Sequence, residues 1–346
     1  MVAAMGRATL GDAVYYDKST VDFEARVAAL AGKEKGLFVP SGTMSNQLGL
    51  RLHVSPPGSI LCDVRSHVYA HESAGLATLS QAMVTTVHPT NGRWYITLDD
   101  IRKWAILSDD IHVAPTQVIS LENTLGGSIM PFDEMKRISE WARSNGLAMH
   151  LDGARLWDAV AATGVSLVDY CNLFDTVSLC FSKGLGAPIG SVLVGSAQHI
   201  KRATHFRKQQ GGGMRQQGLL CEAASEALDE VFPNLQDVHQ KAASFAADLA
   251  ALGYNFQLPV HTNFVFLDLD SAGVDPAKLV AEAAEKGITV SGARIAFHHQ
   301  TADDAAAELK QILAELIAES KKNGSYSAEK LNDDVTLKGY SRAGRS

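Results

Sequence analysis

A lysine, Lys183, follows the apolar stretch Phe-Asp-Thr-Val-Ser-Leu-Cys-Phe-Ser (174–182) and precedes a turn through Gly184, Gly186 and Pro188. A lysine at the mouth of a buried strand is expected to be poorly solvated, and desolvation favours the neutral amine. The neutral amine is the nucleophile that forms a Schiff base with an aldehyde or with pyridoxal phosphate (PLP). On position alone such a lysine is more often a solvated surface charge. Its meaning therefore rests on the residues that accompany it.

His150-Leu-Asp-Gly-Ala-Arg155 closes a second apolar stretch, 147–151. Ligands of open α/β sheets lie beyond the carboxyl ends of strands, where Asp152 is placed. A carboxylate there can pair with a protonated ring nitrogen and hold the ring as an electron sink. Arg155 can clamp a substrate carboxylate with two parallel hydrogen bonds; a helix cap and a structural Asp–Arg pair are equally open to this string. Ser41-Gly42-Thr43 joins a strand to a helix, and free backbone N–H groups with two hydroxyls make an anion site suited to a phosphate. A Ser/Thr helix cap is the commoner use of such residues. No P-loop pattern and no dinucleotide glycine spacing occurs.

His67 and His71, four apart, can bind zinc on a helix, but spacing supplies no third ligand and no metal is expected. His67 can instead lie as an aromatic plane against a cofactor ring and serve in proton transfer. Lys201, Arg202, Arg207, Lys208 and Arg215 surround Gly211-Gly-Gly213. They read as a solvated basic face, or as a flexible glycine loop that carries cations toward an anion, including one in a neighbouring subunit. Arg294, in Ser-Gly-Ala-Arg-Ile-Ala-Phe, can act as a second carboxylate clamp.

The elements that must hold these residues alternate. Strands are expected at 36–40, 59–64, 82–87, 117–121, 147–151, 176–181 and 190–195, with helices at 21–31, 44–53 and 132–145 between several of them. That alternation predicts an α/β domain with a mainly parallel sheet. Helices at 222–231, 235–252, 276–286 and 303–321, with strands at 263–269 and from 289, predict a smaller α+β domain. The boundaries expected are an arm at 1–20, a large domain at 21–225, a small domain at 226–321 and a mobile tail at 322–346.

The 346 residues are 46% hydrophobic and 20% charged, an ordinary globular composition long enough for two domains. A formal charge of -7 without a long basic run argues against nucleic acid or an anionic membrane as partner. Four scattered cysteines without a C-x-x-C pair fit a reduced compartment, and no leader or spanning segment is read, so a cytoplasmic protein is expected.

Taken together, Val-Pro-Ser-Gly-Thr-Met-Ser-Asn-Gln, Ser-Leu-Glu-Asn-Thr, His-Leu-Asp-Gly-Ala-Arg, Ser-Lys-Gly-Leu-Gly-Ala-Pro-Ile-Gly-Ser and Gly-Gly-Gly-Met-Arg-Gln resemble the low-specificity threonine aldolase family. These are fold-type I PLP enzymes of the β-eliminating lyase group, and the resemblance covers about residues 9–320. It implies a transferase-like large domain with a smaller C-terminal one, Lys183 carrying PLP, and Asp152 on the pyridine nitrogen. It also implies that His67 stacks on the ring, that Ser41, Gly42 and Thr43 hold the phosphate, and that Arg155 and Arg294 bind the amino-acid carboxylate. Arg215 matches a position on the cofactor side and Lys208 one on the substrate side. The resemblance further implies a homodimer or homotetramer.

The departures from the family pattern cluster around the substrate. His71 replaces an aromatic residue, Ala74-Gly75 a glycine pair, Ala13 and Tyr16 an Asp and a Gly, and Leu125 a histidine common after Glu-Asn-Thr. The expected activity is cleavage of threonine, allo-threonine or a related β-hydroxy-α-amino acid to glycine and an aldehyde. The alternative is an alanine-racemase-like enzyme on the same scaffold, with Lys183 on one ring face and His71 or a tyrosine on the other. A third reading, a PLP-binding relative without catalysis, follows from the family's opening Ser-Asp-Thr-Val-Thr falling outside these residues.

Overall fold

The computed structural model describes residues 1–329, which form two compact units: Met1–Leu125 with Met130–Pro233, and Gly126–Ile129 with the described residues from Asn234 onward. The first unit is built on a seven-stranded sheet: β1 (Lys35–Val39), β2 (Ser59–Asp63), β3 (Met83–Val87), β4 (Thr116–Glu122), β5 (Ala148–Gly153), β6 (Thr176–Cys180) and β7 (Ser191–Gly195). Their order is β1-β7-β6-β5-β4-β2-β3. Strands β6, β5, β4, β2 and β3 run parallel, and β7 is antiparallel to both of its neighbours. β2, β6 and β7 are buried at every position, as apolar strands covered on both faces must be.

One helix organises the site side of this sheet. Gly42–His53 starts at Ser41, whose hydroxyl accepts from the Met44 N–H at 3.1 Å, and it packs across β5, β6 and β7. Leu50 enters one apolar cluster with Ile60, Cys62 and Val118, while Leu48 and Leu52 enter another with Leu37, Val39 and Leu193. A helix covered on both flanks has little surface left for polar residues, so Ser45, Asn46 and Gln47 are buried too. Gly49 occupies its interior, where glycine costs about 1 kcal/mol against alanine. A Cβ there would stand 2.5 Å from Cε1 of His150.

The strand that delivers Ser41 is pinned at Phe38. The Phe38 N–H donates to Oε1 of Glu24 at 2.7 Å, and its carbonyl accepts from Nη1 of Arg207 at 2.6 Å. Arg207 lies on the helix Ala197–Gln209, capped by Ser196. This helix corrects the expectation of a flexible loop over 201–215. Ile200, Ala203 and Arg207 recur at helical spacing on its buried side, and only Gly211–Gly213 turns, with Gly211 at φ 77°. At the N-terminus the helix Lys18–Leu30 begins inside the expected arm, because Asp17 caps it and also accepts from the Gly11 N–H and the Thr9 hydroxyl.

The second unit packs the helices Leu235–Leu252, Pro276–Glu285 and Asp303–Asn323 around Leu249, Val265, Leu279 and Leu313, beside the antiparallel pair β8 (Phe264–Phe266) and β9 (Arg294–Ala296). The strand expected from residue 289 begins at Arg294, and the one expected at 263–269 yields to the short helix Leu269–Ala272, capped by Asp268. Within the tail expected from 322, the final helix continues to Asn323 and the Tyr326 hydroxyl donates to the Gly253 carbonyl at 3.2 Å. Residues 330–346 lie outside the described residues.

Burial raises the Glu24 carboxyl from 4.5 to about 7, against the opposing pull of the Phe38 N–H and Arg207. Between those two values the folded protein holds a proton that the unfolded chain releases, so stability falls as pH rises through this window. Glu24→Gln keeps an acceptor for Phe38 and cannot ionise. Its stability relative to the parent should rise by on the order of 1–3 kcal/mol between acidic and slightly alkaline pH, read from urea midpoints. A constant difference across that range would remove Glu24 as the titrating group.

Candidate active site

Asp152 lies at the carboxyl end of β5, buried and fixed by two hydrogen bonds. Nδ2 of Asn46 donates to Oδ2 at 2.7 Å and the Ala154 N–H to Oδ1 at 3.0 Å. The same Asn46 Nδ2 donates to Oε1 of Glu72 at 2.9 Å, and Gln47 donates to its Oε2 at 2.5 Å. Oε1 of Glu72 also meets Nδ1 of His67 at 2.8 Å. The backbone N–H of His67 donates to Oε2 of Glu122 at 2.7 Å, at the end of β4. His67 opens a one-turn helix, His67–Ala70, reached through a bend in which Asp63 grips the Arg65 backbone and guanidinium at 2.7–2.9 Å.

Electrostatics sorts these groups. Burial raises the Asp152 carboxyl and the Glu72 charge adds to the rise, while His67, the Ala154 N–H and Asn46 oppose it. Burial and the Asp152 charge push Glu122 well above the usual carboxylate range. Both carboxyls are thus raised by burial and by a neighbouring carboxylate, and Asp152 alone is offset by the Asn46 and Ala154 donors and by the charge of His67. The hydrogen bond to Glu72 raises the His67 imidazole, which favours its cation. His71 goes the other way: burial and the neighbouring His67 lower it, with the two rings 5.6 Å apart.

Lys183 sits in the loop after β6, where the Gly186 N–H turns back onto its carbonyl at 2.8 Å. Its charge acts on both His67 and Cys180. The lysine is exposed rather than poorly solvated, which corrects the sequence expectation. Buried strand geometry ends at Cys180, and the three residues that follow carry the amine out to the open mouth of the sheet.

Gly42 meets the β6 end from the other side, where a Cβ would stand 2.7 Å from Sγ of Cys180. The first-turn N–H groups of Gly42 and Thr43 therefore face this end of the sheet without a side chain between. The Ser41 hydroxyl is engaged in capping its own helix. Arg155, half-buried at the start of the helix Leu156–Thr163, exerts its charge on Glu122 and Cys180.

The sheet thus gathers Lys183, His67, His71, Asp152, Arg155, Gly42 and Thr43 at one edge. Arg215 is not drawn in: it pairs with Asp12 of the N-terminal segment, and its carbonyl accepts from the Ala13 N–H at 2.7 Å. Lys208 lies exposed in the last turn of its helix. Arg294, on β9 of the second unit, holds its guanidinium 4.3 Å from the Phe264 ring centre. Asn46, Glu72 and Glu122 were missed as site residues. The available signal was a run of three polar residues, Ser45-Asn46-Gln47, inside a helix that has apolar residues on either side. The partners of His67 also differ from the zinc reading, since Glu72 and Asp152, rather than His71, offer ligand atoms within 4.8 Å of its own. The Asn46 amide standing between both carboxylates supplies donors there, which a cation does not accept.

Residues 1–272 match the β-eliminating lyase family. The chain is 50% identical to the low-specificity L-threonine aldolase of Eremothecium gossypii, over 93% of this chain and 85% of that protein. It is 47% identical to the low-specificity L-threonine aldolase of Saccharomyces cerevisiae over 93% and 84%, and 42% identical to alanine racemase TOXG of Cochliobolus carbonum over 87% and 79%. Among solved structures, Leishmania major threonine aldolase aligns with a TM-score of 0.76 at 21% identity, over 90% of this chain and 92% of that one, a likeness of fold. A family match over most of the chain, with relatives this similar along nearly all of it, means that the chain belongs to the β-eliminating lyases, in the group of the low-specificity threonine aldolases.

Proposed function

We propose that this protein is a PLP-dependent aldolase that cleaves threonine, allo-threonine or a related β-hydroxy-α-amino acid to glycine and an aldehyde. The observation that carries this reading is the buried Asp152 carboxylate at a strand end, beside a half-exposed His67 on which the Lys183 charge also acts. It stands in a chain 50% identical to a low-specificity L-threonine aldolase. The residues present suit PLP. Asp152 offers an anion to a ring N–H, His67 a plane, and Lys183 an accessible amine. Gly42 leaves open a first helical turn in which a Cβ would strike Cys180.

Bound PLP supplies the electron sink for the pair left at Cα when Cα–Cβ breaks. Lys183 anchors the cofactor and later returns a proton to Cα. Asp152 holds the proton on the ring nitrogen. The N–H groups of Gly42 and Thr43, with Ser41 fixing the turn, bind the phosphate. Arg155, at the carboxyl end of the sheet, would hold the substrate carboxylate and so orient the substrate. His71, whose lowered basicity keeps it neutral, takes the proton of the substrate hydroxyl as the aldehyde forms.

A second reading, alanine racemisation, is favoured by the 42% identity to a racemase and by His71 standing beside the His67 ring. The assembly proposed is a homodimer or homotetramer, supported by the exposed Leu10, Tyr15 and Tyr16 and by Arg215 and Lys208 lying away from their own cluster. A reducing cytoplasm suits the four buried free thiols. No helix among the described residues is long and apolar enough to cross a membrane.

The PLP-loaded protein incubated with threonine, allo-threonine and L-alanine should yield glycine and acetaldehyde from the first two and no D-alanine. D-Alanine without glycine would replace the aldolase with the racemase. Lys183→Ala should abolish the visible absorbance band of the bound cofactor; survival of that band refutes the anchoring role. His71→Phe should lower kcat for threonine about 10²-fold while leaving that band and its intensity unchanged. Unaltered kcat would move the hydroxyl base elsewhere.

A further inference from the structure

His150 has no part in the mechanism above, yet the fold is shaped to admit it. It lies two residues before Asp152 on β5, so both side chains project to the same face. On the helix above, Asn46, Gly49 and His53 follow one another at spacings of three and four, which places them on one side. A Cβ at Gly49 would come within 2.5–2.7 Å of the imidazole, so the missing side chain is the space the ring occupies. Across the sheet, Thr176 of β6 is the register partner of His150.

These residues form a continuous chain of hydrogen bonds. Nε2 of His53 meets Oγ1 of Thr176 at 2.9 Å, and that hydroxyl meets Nδ1 of His150 at 2.9 Å. Nε2 of His150 meets Oδ1 of Asn46 at 3.2 Å, and Nδ2 of Asn46 meets Oδ2 of Asp152 at 2.7 Å. The direction of each bond follows from chemistry. Asn46 faces two carboxylates, so its NH2 must point at them and its oxygen at His150. Burial pushes His150 down to about 3 and His53 to about 4, so each ring is neutral and carries a single proton. His199, with its ring 4.8 Å away, and the Arg202 charge lower His53 further, and the Asp175 charge opposes them. The His150 proton must then sit on Nε2, its Nδ1 must accept from Thr176, and the Thr176 oxygen is left to accept from His53. Every N–H and O–H in the chain points toward Asp152.

We propose that His150, Thr176 and His53 are positioning residues, a one-way hydrogen-bond chain that acts through Asn46 to hold the Asp152 carboxylate anionic and aimed at the cofactor's ring nitrogen. This rests on the PLP reading. Aligned bonds polarise one another, and their positive ends meet the one carboxylate that must stay charged despite burial and the nearby Glu72. His53 ends the chain at a cleft of about 520 Å³ whose other walls include Leu107, Asp109, Gln117 and Asn145.

Thr176→Val preserves shape and removes the hydroxyl, whereas Thr176→Ser keeps it. In the PLP-loaded protein, Thr176→Val should weaken PLP about three- to tenfold. It should also move the pH midpoint of the visible band upward by about half a unit, because a ring nitrogen held less firmly as its cation withdraws less charge. Its kcat for threonine should fall while KM stays near the parent. Thr176→Ser should stay within about twofold of the parent in all three readouts. Should Thr176→Val not fold, His53→Leu against His53→Gln makes the same cut at the half-buried end, since glutamine still donates. Equal behaviour of the two members of the pair in PLP affinity and pH midpoint would overturn the chain. A parent protein that binds no PLP would overturn the cofactor reading, and the chain's role with it.

Discussion

A carboxylate that stays ionised in the interior must be given donors, and Asp152 receives them from the Asn46 amide and the Ala154 N–H. Much of the first unit is arranged around that requirement. Asn46 can reach Asp152 only because the helix Gly42–His53 lies flat across β5 and β6 with its polar residues turned inward. That helix can lie so close only because Gly49 has no side chain where the His150 ring stands. The start of the same helix, at Ser41 and Gly42, forms the turn against Cys180. One close helix–sheet contact thus sets both the turn at Ser41 and Gly42 and the placement of the buried acid.

Around Asp152 the charges are graded rather than merely clustered. Glu72 ties down His67, Asn46 and Gln47 together, so the His67 ring has its orientation fixed from behind. Glu122, pushed up by burial and by Asp152, accepts from the His67 backbone N–H, which opposes that rise. His67 and His71, shifted in opposite directions, thus stand near the buried carboxyls of Asp152 and Glu72. Lys183 stands at the open side, where an incoming molecule can reach its amine.

The strand–helix alternation of the first unit was legible because strands buried on both faces read as apolar runs, and all seven expected strands of the sheet start and end within two residues of the observed ones. Legibility failed where local signals competed. The helix Ala197–Gln209 is rich in Lys, Arg and His and runs into a glycine triplet, so its sparse buried side at Ile200, Ala203 and Arg207 was outweighed by the look of a loop. β9 is three residues long, too short for alternation to register. The helix Lys18–Leu30 starts early because Asp17 gathers donors from Thr9 and Gly11, contacts that spacing does not display.

For the site, what could be read along the chain was residue types in local context: Lys183 after an apolar strand, Asp152 and Arg155 at the end of another, and Ser41-Gly42-Thr43 between strand and helix. These are local strings, and local chemistry is what a string can encode. Only the tertiary structure decided what surrounds them. That Lys183 is exposed and that Glu72 rather than His71 partners His67 follow from local geometry the string does not display, and His150 reaches Asp152 through Asn46 only because residues 104 and 106 positions apart meet across a helix–sheet contact. Burial and hydrogen-bond direction are properties of that contact, and they set which groups carry charge.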